Sequence, residues 1–409
     1  MNILFLFLRH SENPTDSTLT KDISDEFHKQ GHNVKVVTLL EKKYNKETQL
    51  KVENGYSVLR VKTGNYFDSP GKIEKGITAL TKPKNLEKAI KKYFKNEKFD
   101  LIYTHTPFIS NAKLINNLKR YYKCKACLHL WDIFPQNAKD INLLTNKMLL
   151  NFFEYQEQKM YDAFDYIGCM SKGNLQYMET RDKNIKLDKY FILKNWAQIK
   201  EKPVFNKKVI REKYGYTEND FICIFGGNMG KPQKWENILE LAKKSLVDKT
   251  IKFLFVGKGT ERNLLENKMK NEEISNVKFL DYIPRADYEL ITAACDIGLV
   301  SLDERFTVPN FPSKTTDYFK LELPILASLD SCAAVDYGKF LQSEVKGGLF
   351  ALAGDTDGLY SQLLKLKNNS ELRKELGKNG RQYYENELGV DKAYETIMKQ
   401  IKNRGWSYV

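Results

Sequence analysis

Short apolar runs alternate with amphipathic stretches along the whole chain. In the first half the apolar runs predict strands at 3–8, 34–39, 57–61, 101–104, 126–130, 166–170 and 191–193. Helical patterns lie between them. One spans 19–30 and is stopped by Gly31; another spans 85–96 and starts after Pro83. The second half repeats the scheme. Strands are predicted at 221–225, 252–256, 277–280, 297–301, 324–327 and 348–351. Helices are predicted near 235–243, 261–270, 285–295, 315–321 and 355–367, with a lysine-rich helical stretch from about Ser370.

Such alternation predicts parallel sheets covered on both faces. The polar segment 197–220, which contains Pro203, reads as a linker. The expected fold is therefore α/β, with two Rossmann-like doubly wound domains at 1–196 and 197–385. A final helical segment, 386–409, is expected to return to the first domain. Sheets of this kind bind ligands beyond the carboxyl ends of their strands, and two of them facing each other hold a ligand in the cleft between. The fold alone does not choose the chemistry.

A length of 409 residues fits two domains, and 42% hydrophobic residues suffices for two cores. The apolar start, Met1 to Leu8, is too short to cross a membrane. It lacks the basic flank and small-residue cleavage site of a signal peptide. No other apolar stretch reaches spanning length, so a cytoplasmic protein is expected, soluble or peripheral on the inner membrane face. The net charge of +14 is carried mostly by lysine. It fits solvated helix faces, or else an anionic partner such as a phosphate or an acidic lipid surface. No zinc-finger, helix-turn-helix or RNA-recognition signature is present, and no nucleic acid partner is expected. Cys124-Lys125-Ala126-Cys127 has no second ligand pair at zinc spacing. The six cysteines read as reduced structural residues, and no metal site is expected.

Three loops of the second half follow strands and precede helices. Phe225-Gly226-Gly227-Asn228-Met229-Gly230 suits close approach of a phosphate, with Lys231 and Lys234 adding charge. It also fits a tight turn that needs glycine for geometry alone. Phe255-Val256-Gly257-Lys258-Gly259 repeats the design. In Phe311-Pro312-Ser313-Lys314-Thr315-Thr316-Asp317-Tyr318, Ser313 is the expected N-cap. Lys314 at that helix start suits a diphosphate, and Asp317 suits a ribose diol, or merely complements the helix dipole. In the first half, Trp131-Asp132-Ile133-Phe134-Pro135-Gln136 ends a strand with a carboxylate among aromatics. Asp132 suits an acceptor hydroxyl or a sugar, or else caps the strand end. His105 and His129 also end strands and rank below it.

These loops, in this order, resemble those of the nucleotide-sugar glycosyltransferases of family 4, with the GT-B fold. The resemblance is closest to bacterial transferases of capsule, exopolysaccharide and O-antigen (lipopolysaccharide) synthesis, including the acetamido-deoxysugar branch. It rests on Gly227-Asn228-Met229-Gly230 with Gln233, Asp132 to Pro135, Asn195-Trp196, Ser171, and Phe311 to Asp317. The resemblance implies that Pro312, Ser313, Lys314 and Asp317 hold the diphosphate and ribose. It implies that Tyr282 and Ile283, after Asp281, hold uracil, and that Gly227, Asn228, Gln233, Lys234 and Gly257 complete the donor site. Asp132 and Lys314 are the implied catalytic residues, with His105 and Ser171 on the acceptor side.

The implied reaction moves a sugar, an N-acetylated hexosamine or deoxyhexosamine, from a UDP-sugar to a glycan or polyprenyl-linked acceptor. It retains the anomeric configuration and needs no metal or cofactor. The sequence departs from the family where Pro309 replaces an expected Glu, where Arg9-His10-Ser11 replaces a glycine pair, and at Gln136. A UDP-sugar epimerase of the same fold, or a non-catalytic partner subunit, are the alternative readings. A dinucleotide-dependent oxidoreductase would need a G-x-G-x-x-G turn that neither half contains. Two basic helical stretches, from Lys82 to Lys98 and from Lys113 to Lys125, suit either solvent or an anionic membrane surface.

Overall fold

The computed structural model describes residues 1–67, 71–107, 111–182 and 186–403. The chain divides into two units. One comprises Met1–Lys139, Leu144–Gln198 and Val390–Val409; the other comprises Asp140–Leu143 and Ile199–Gly389.

The first unit is built on β1 (Asn2–Phe7), β2 (Asn33–Glu41), β3 (Gln49–Glu53), β4 (Tyr56–Thr63), β5 (Leu101–His105), β6 (Lys125–Leu130), β7 (Tyr166–Cys169) and β8 (Tyr190–Ile192). The sheet order is β3-β4-β2-β1-β5-β6-β7-β8. All neighbours are parallel except β3 and β4, an antiparallel hairpin. Asn54 and Gly55 turn that hairpin at φ of 50° and 87°, the left-handed geometry such turns require. On the core side, Ile3 and Phe5 of β1 meet Ile23 and Phe27 of the helix Leu19–Lys29. Ala393, Ile397 and Ile401 of the helix Val390–Lys402 join the same cluster.

The second unit contains β9 (Phe221–Gly226), β10 (Ile251–Val256), β11 (Val277–Leu280), β12 (Ile297–Ser301), β13 (Ile325–Leu329) and β14 (Gly348–Leu352). Its order is β11-β10-β9-β12-β13-β14, parallel throughout. The order of strand addition therefore switches from one side to the other between β9 and β12, the position where doubly wound sheets open toward a ligand. Phe221, Cys223 and Phe225 pack with Trp235, Ile238 and Phe253 in its core.

Three expectations need correction. Pro83 does not start a helix; it lies inside the helix Lys72–Tyr93. Thr78, Lys82, Leu86, Ala89 and Ile90 are all buried on one face of it, and that packing outweighs the roughly 3 kcal/mol an interior proline costs. Lys82 accordingly leaves the solvent-facing lysine row. Its ammonium sits 4.2 Å from the centre of the Tyr66 ring, and burial pushes its pKa down to about 7. The exposed row is Lys84, Lys88, Lys92 and Lys95. Third, the segment 197–220 is not an open linker. It contains the helix Lys207–Lys213, whose buried Arg211 donates to the carbonyls of Ala294 (2.9 Å) and Asp220 (2.8 Å) and to Asp296 (2.7 Å). Among the described residues, no helix is long and apolar enough to cross a membrane.

Candidate functional site

In the second unit, backbone hydrogen bonding continues past the strands and ties the loops together. Gly227 N–H donates to Val256 O (2.9 Å), Met229 N–H to Lys258 O (2.9 Å) and Gly257 N–H to Leu280 O (3.1 Å). Gly227 and Gly257 adopt φ of 123° and 140°. A Cβ on Gly257 would fall 2.1 Å from Gly227 O, and one on Gly259 would fall 2.2 Å from Met229 O. These glycines thus let two loop backbones touch. In the Gly227–Gly230 loop Gly227 and Asn228 are exposed, while Met229 and Gly230 are buried. Gln233 braces it, because its side-chain carbonyl accepts from Gly230 N–H at 3.3 Å. Lys234, at φ 38°, pairs with Glu304 at 3.4 Å.

The helix Lys314–Lys320 is positioned by Tyr318. Strands β9 and β12 pair only through Ile297–Cys223 and Gly298–Ile224 and then part. The buried Tyr318 hydroxyl reaches into the gap, 3.2 Å from Ile224 O and 3.1 Å from Leu299 O, and accepts from Gly226 N–H at 3.4 Å. Glycine at 298 leaves room for its ring, since a Cβ there would lie 2.5 Å from it. This anchor lays Lys314 over Phe225, with the ammonium 3.2 Å from the ring centre. Loss of water lowers the Lys314 pKa well below the usual lysine value, and Asp317 counters that in part. Among the described residues no hydrogen bond or ion pair engages the Lys314 ammonium.

Asp317 is held by Arg285 through two contacts, one at 3.2 Å and one closer. Arg285 also donates to Glu289 at 3.0 Å. Its guanidinium pKa is raised, the nearby Asp317 carboxylate outweighing desolvation. Tyr282 is 75% exposed at the end of β11, followed by Ile283. Arg262 links that turn to the glycine loops, donating to Asp281 (2.6 Å) and to Gly257 O (3.0 Å). Ser313 does not cap the helix with its side chain. Its own backbone is already helical (φ −64°, ψ −27°), and the first turn closes on the carbonyls of Pro312 and Ser313. Arg285, Arg262 and Tyr318 were not assigned roles from sequence. Arg285 stands just past Asp281-Tyr282-Ile283-Pro284, the one signal that could have drawn attention to it.

In the first unit, the hydroxyl of Thr106 accepts from Trp131 N–H (2.9 Å) and Asp132 N–H (2.8 Å). This fixes the end of β6 and turns the Asp132 carboxylate to the surface. The protein mass around Asp132 removes enough water to raise its pKa above the usual aspartate value. His105 is buried and stacks on Trp131 with ring centres 3.7 Å apart. Burial pushes its pKa down to about 4. His129 is structural: it accepts from Trp131 Nε1 (2.8 Å) and meets Leu193 O (2.9 Å). Ser171 caps the helix Lys172–Arg181, accepting from Asn174 N–H at 3.1 Å. The Ser171 hydroxyl also donates to Asn174 Oδ1 at 3.1 Å.

The chain is similar to several known proteins. Residues 206–383 match the family model of glycosyl transferases group 1. The chain is 24% identical over 221 residues to the probable glycosyltransferase WbjE of Pseudomonas aeruginosa, spanning 52% of each. It is 24% identical over 325 residues to an uncharacterized glycosyltransferase of Methanocaldococcus jannaschii, covering 76% of this chain and 80% of that one. The chain thus spans about half the length of the first relative. Among solved structures, the sucrose-phosphate synthase of Thermosynechococcus elongatus has the same fold, with a TM-score of 0.78 at 14% identity over 99% of both chains. HepE of Anabaena, solved in complex with UDP, aligns with a TM-score of 0.70 at 13% identity over 98% of this chain and 100% of its own. Residues 206–383 thus carry the similarity to glycosyl transferases group 1, and they lie within the second unit.

Proposed function

We propose that this chain transfers a sugar from a UDP-sugar to a glycan or polyprenyl-linked acceptor in surface-polysaccharide synthesis. The anomeric configuration is retained and no metal is required. The sugar is an N-acetylated hexosamine or deoxyhexosamine. The observation that carries the reading is the placement of Lys314 and Asp317 by Tyr318 at the point where β9 and β12 part. A dehydrated ammonium there gains from a diphosphate, which adds negative charge to that of the nearby Asp317 carboxylate. Asp317 accepts from the ribose hydroxyls, Tyr282 and Ile283 flank the base, and Asn228 and the backbone at Gly227 face the sugar phosphate. Asp132 meets the reacting sugar or the acceptor hydroxyl.

The family-level part of this reading draws on the matched group 1 domain. The UDP part draws on a neighbour of the same fold that was solved with UDP. The surface-polysaccharide part draws on a relative named as a putative colanic acid biosynthesis glycosyl transferase of Escherichia coli, 24% identical over 137 residues. Peripheral attachment on the cytoplasmic side uses the exposed row Lys84, Lys88, Lys92 and Lys95, with Lys113 and Lys123 on the neighbouring helical stretch. Each lysine near an anionic surface contributes about 1 kcal/mol.

Thermal unfolding against UDP, GDP and dTDP tests the donor assignment. UDP alone should raise the midpoint, since a ligand of the native state stabilises by mass action. Lys314→Met, which keeps the packing on Phe225, should abolish the shift for UDP and leave uridine binding unchanged. Absence of any shift with all three nucleotides would overturn the reading. Asp132→Asn should lower the transfer rate about 100-fold or more while leaving UDP affinity intact, as loss of an acid–base or charge-stabilising group does. Unchanged turnover would make Asp132 structural.

A further inference from the structure

The first unit carries a layer of three helices along one face of its sheet: Lys72–Tyr93, Ala112–Tyr122 and Lys147–Ala163. They connect β4 to β5, β5 to β6 and β6 to β7, all parallel and all stepping in one direction across the sheet. Right-handed crossovers of that kind put the three helices on the same face. Side chains join them in order. Asn117 donates to Glu87 at 2.9 Å, and Lys119 donates to Ala163 O at 2.9 Å. A helix that follows a parallel strand starts at the carboxyl end of the sheet, so the first turns of all three lie at the end where Asp132 follows β6.

The outward faces of the two flanking helices are apolar at that end. In the helix Lys72–Tyr93, positions 77, 80, 84 and 88 recur at steps of three and four and are all exposed, opposite the buried Thr78, Lys82, Leu86 and Ala89. The first two are Ile77 and Leu80, the latter 70% exposed, and the next two are Lys84 and Lys88. In the helix Lys147–Ala163, Met148 (82% exposed), Phe152 and Tyr155 share a face by the same spacing, with Leu149 exposed beside them. Single apolar residues in water are ordinary. Six of them at one end of one helix layer mark a surface that meets something apolar.

Charge on this layer is nearly all positive. Besides Lys84 and Lys88, the exposed cations include Lys113 and Arg120 on the middle helix. The carboxylates are engaged or withdrawn: Glu87 accepts from Lys91 at 2.6 Å, Glu154 meets Arg181 at 3.6 Å, and Glu157 is buried. Among the described residues of these helices only Asp162, in the last turn, is an exposed carboxylate. A second copy of the chain docked here would lay cations against cations. An anionic bilayer suits both features, because acyl chains receive the apolar side chains and head groups receive the cations.

We propose that this helix layer docks on an anionic bilayer, with Ile77, Leu80, Met148, Leu149, Phe152 and Tyr155 entering the acyl boundary. The inference deepens the peripheral-attachment reading and rests on it for the lysines. The edge that enters is the one where β6 ends, so the docked chain presents the Asp132 end of its first sheet to the lipid surface.

Flotation of the full chain tests it, with vesicles of phosphatidylcholine alone and of phosphatidylcholine mixed with phosphatidylglycerol. The wild type should float with the mixed vesicles. I77S/L80S and M148S/F152S should each lower that partition about tenfold or more and keep the thermal midpoint, since the replaced side chains are exposed. Insertion has a direct readout. Lipids brominated on their acyl chains should quench Leu80→Trp and Met148→Trp beyond the wild-type level, and should not do so for Val247→Trp, at an 84% exposed position of the second unit. Unchanged flotation of both serine variants, or no added quenching at either tryptophan, overturns the proposal. Flotation lost in K84Q/K88Q but kept in the serine variants removes insertion alone and leaves attachment by lysines standing. A wild type that ignores the mixed vesicles removes both readings. A dimer that the serine variants dissolve, with no flotation of the wild type, gives the patch to a second copy instead.

Discussion

Lys314 and Asp317 sit on one short helix with opposite states. Lys314 is dehydrated and makes no ion pair among the described residues, feeling the Asp317 carboxylate only at a distance, whereas Asp317 is occupied by Arg285. A ribose that binds Asp317 must share or displace that guanidinium. The pair is partly exposed, and such pairs contribute little on their own, so the exchange is within reach of ordinary hydrogen bonds. Asp317→Asn should lower UDP affinity about tenfold to 100-fold, the range for a bond to a charged acceptor, and leave 2′,3′-dideoxy-UDP affinity unchanged. An equal loss for both nucleotides in calorimetry would reassign Asp317 to positioning Arg285. The run Pro312 to Asp317 was legible as a nucleotide loop because a basic and an acidic residue share a helix start. Arg285 was not legible, since nothing in a linear pattern reveals that it crosses 32 positions to reach Asp317.

Among the elements, the two glycine loops show most clearly where pattern reading stops. Gly226–Gly230 and Gly257–Gly259 suggest two phosphate cradles. The structure gives Gly257 and Gly259 another reason, backbone contact with Gly227 and Met229. Gly257→Ala should therefore act on stability first. A side chain at φ 140° costs about 1–3 kcal/mol before the clash is counted, which corresponds to several degrees of midpoint in a domain of this size. Urea or thermal unfolding would show it, and an unchanged midpoint with lost UDP binding would restore the ligand role. Strand positions came through because apolar runs of four to eight residues mark buried parallel strands. The strand β3 did not, because its side chains are exposed or half-buried and form no apolar run, although Asn54-Gly55 beside it carried the hairpin signal. The helix Lys72–Tyr93 was cut short at Pro83 because local propensity is visible in sequence and a shared buried face is not.

Across the whole molecule, three buried histidines make stability depend on pH. Burial lowers His10 and His105 to about 4 and His129 to about 3. Near the ordinary value of 6.5 the unfolded chain takes up protons that the folded chain refuses. Stability contributed by the neutral rings is therefore full above about pH 6.5 and is lost as pH falls toward 4. The urea midpoint should drop across that window, and His129→Gln should show a shallower drop than the wild type. Parallel curves would mean that His129 is not held neutral.

The helix Val390–Lys402 completes the core around Ile3, Phe5 and Phe27, while everything from Ile199 to Gly389 belongs to the other unit. The order of synthesis is thus not the order of completion. On the ribosome the second unit has its full sequence before the unit that starts the chain does. The early strands keep part of one apolar face uncovered until the helix Val390–Lys402 emerges. A nascent chain halted just after Gly389 should resist protease across 199–389 and remain cleavable in the half that was made first.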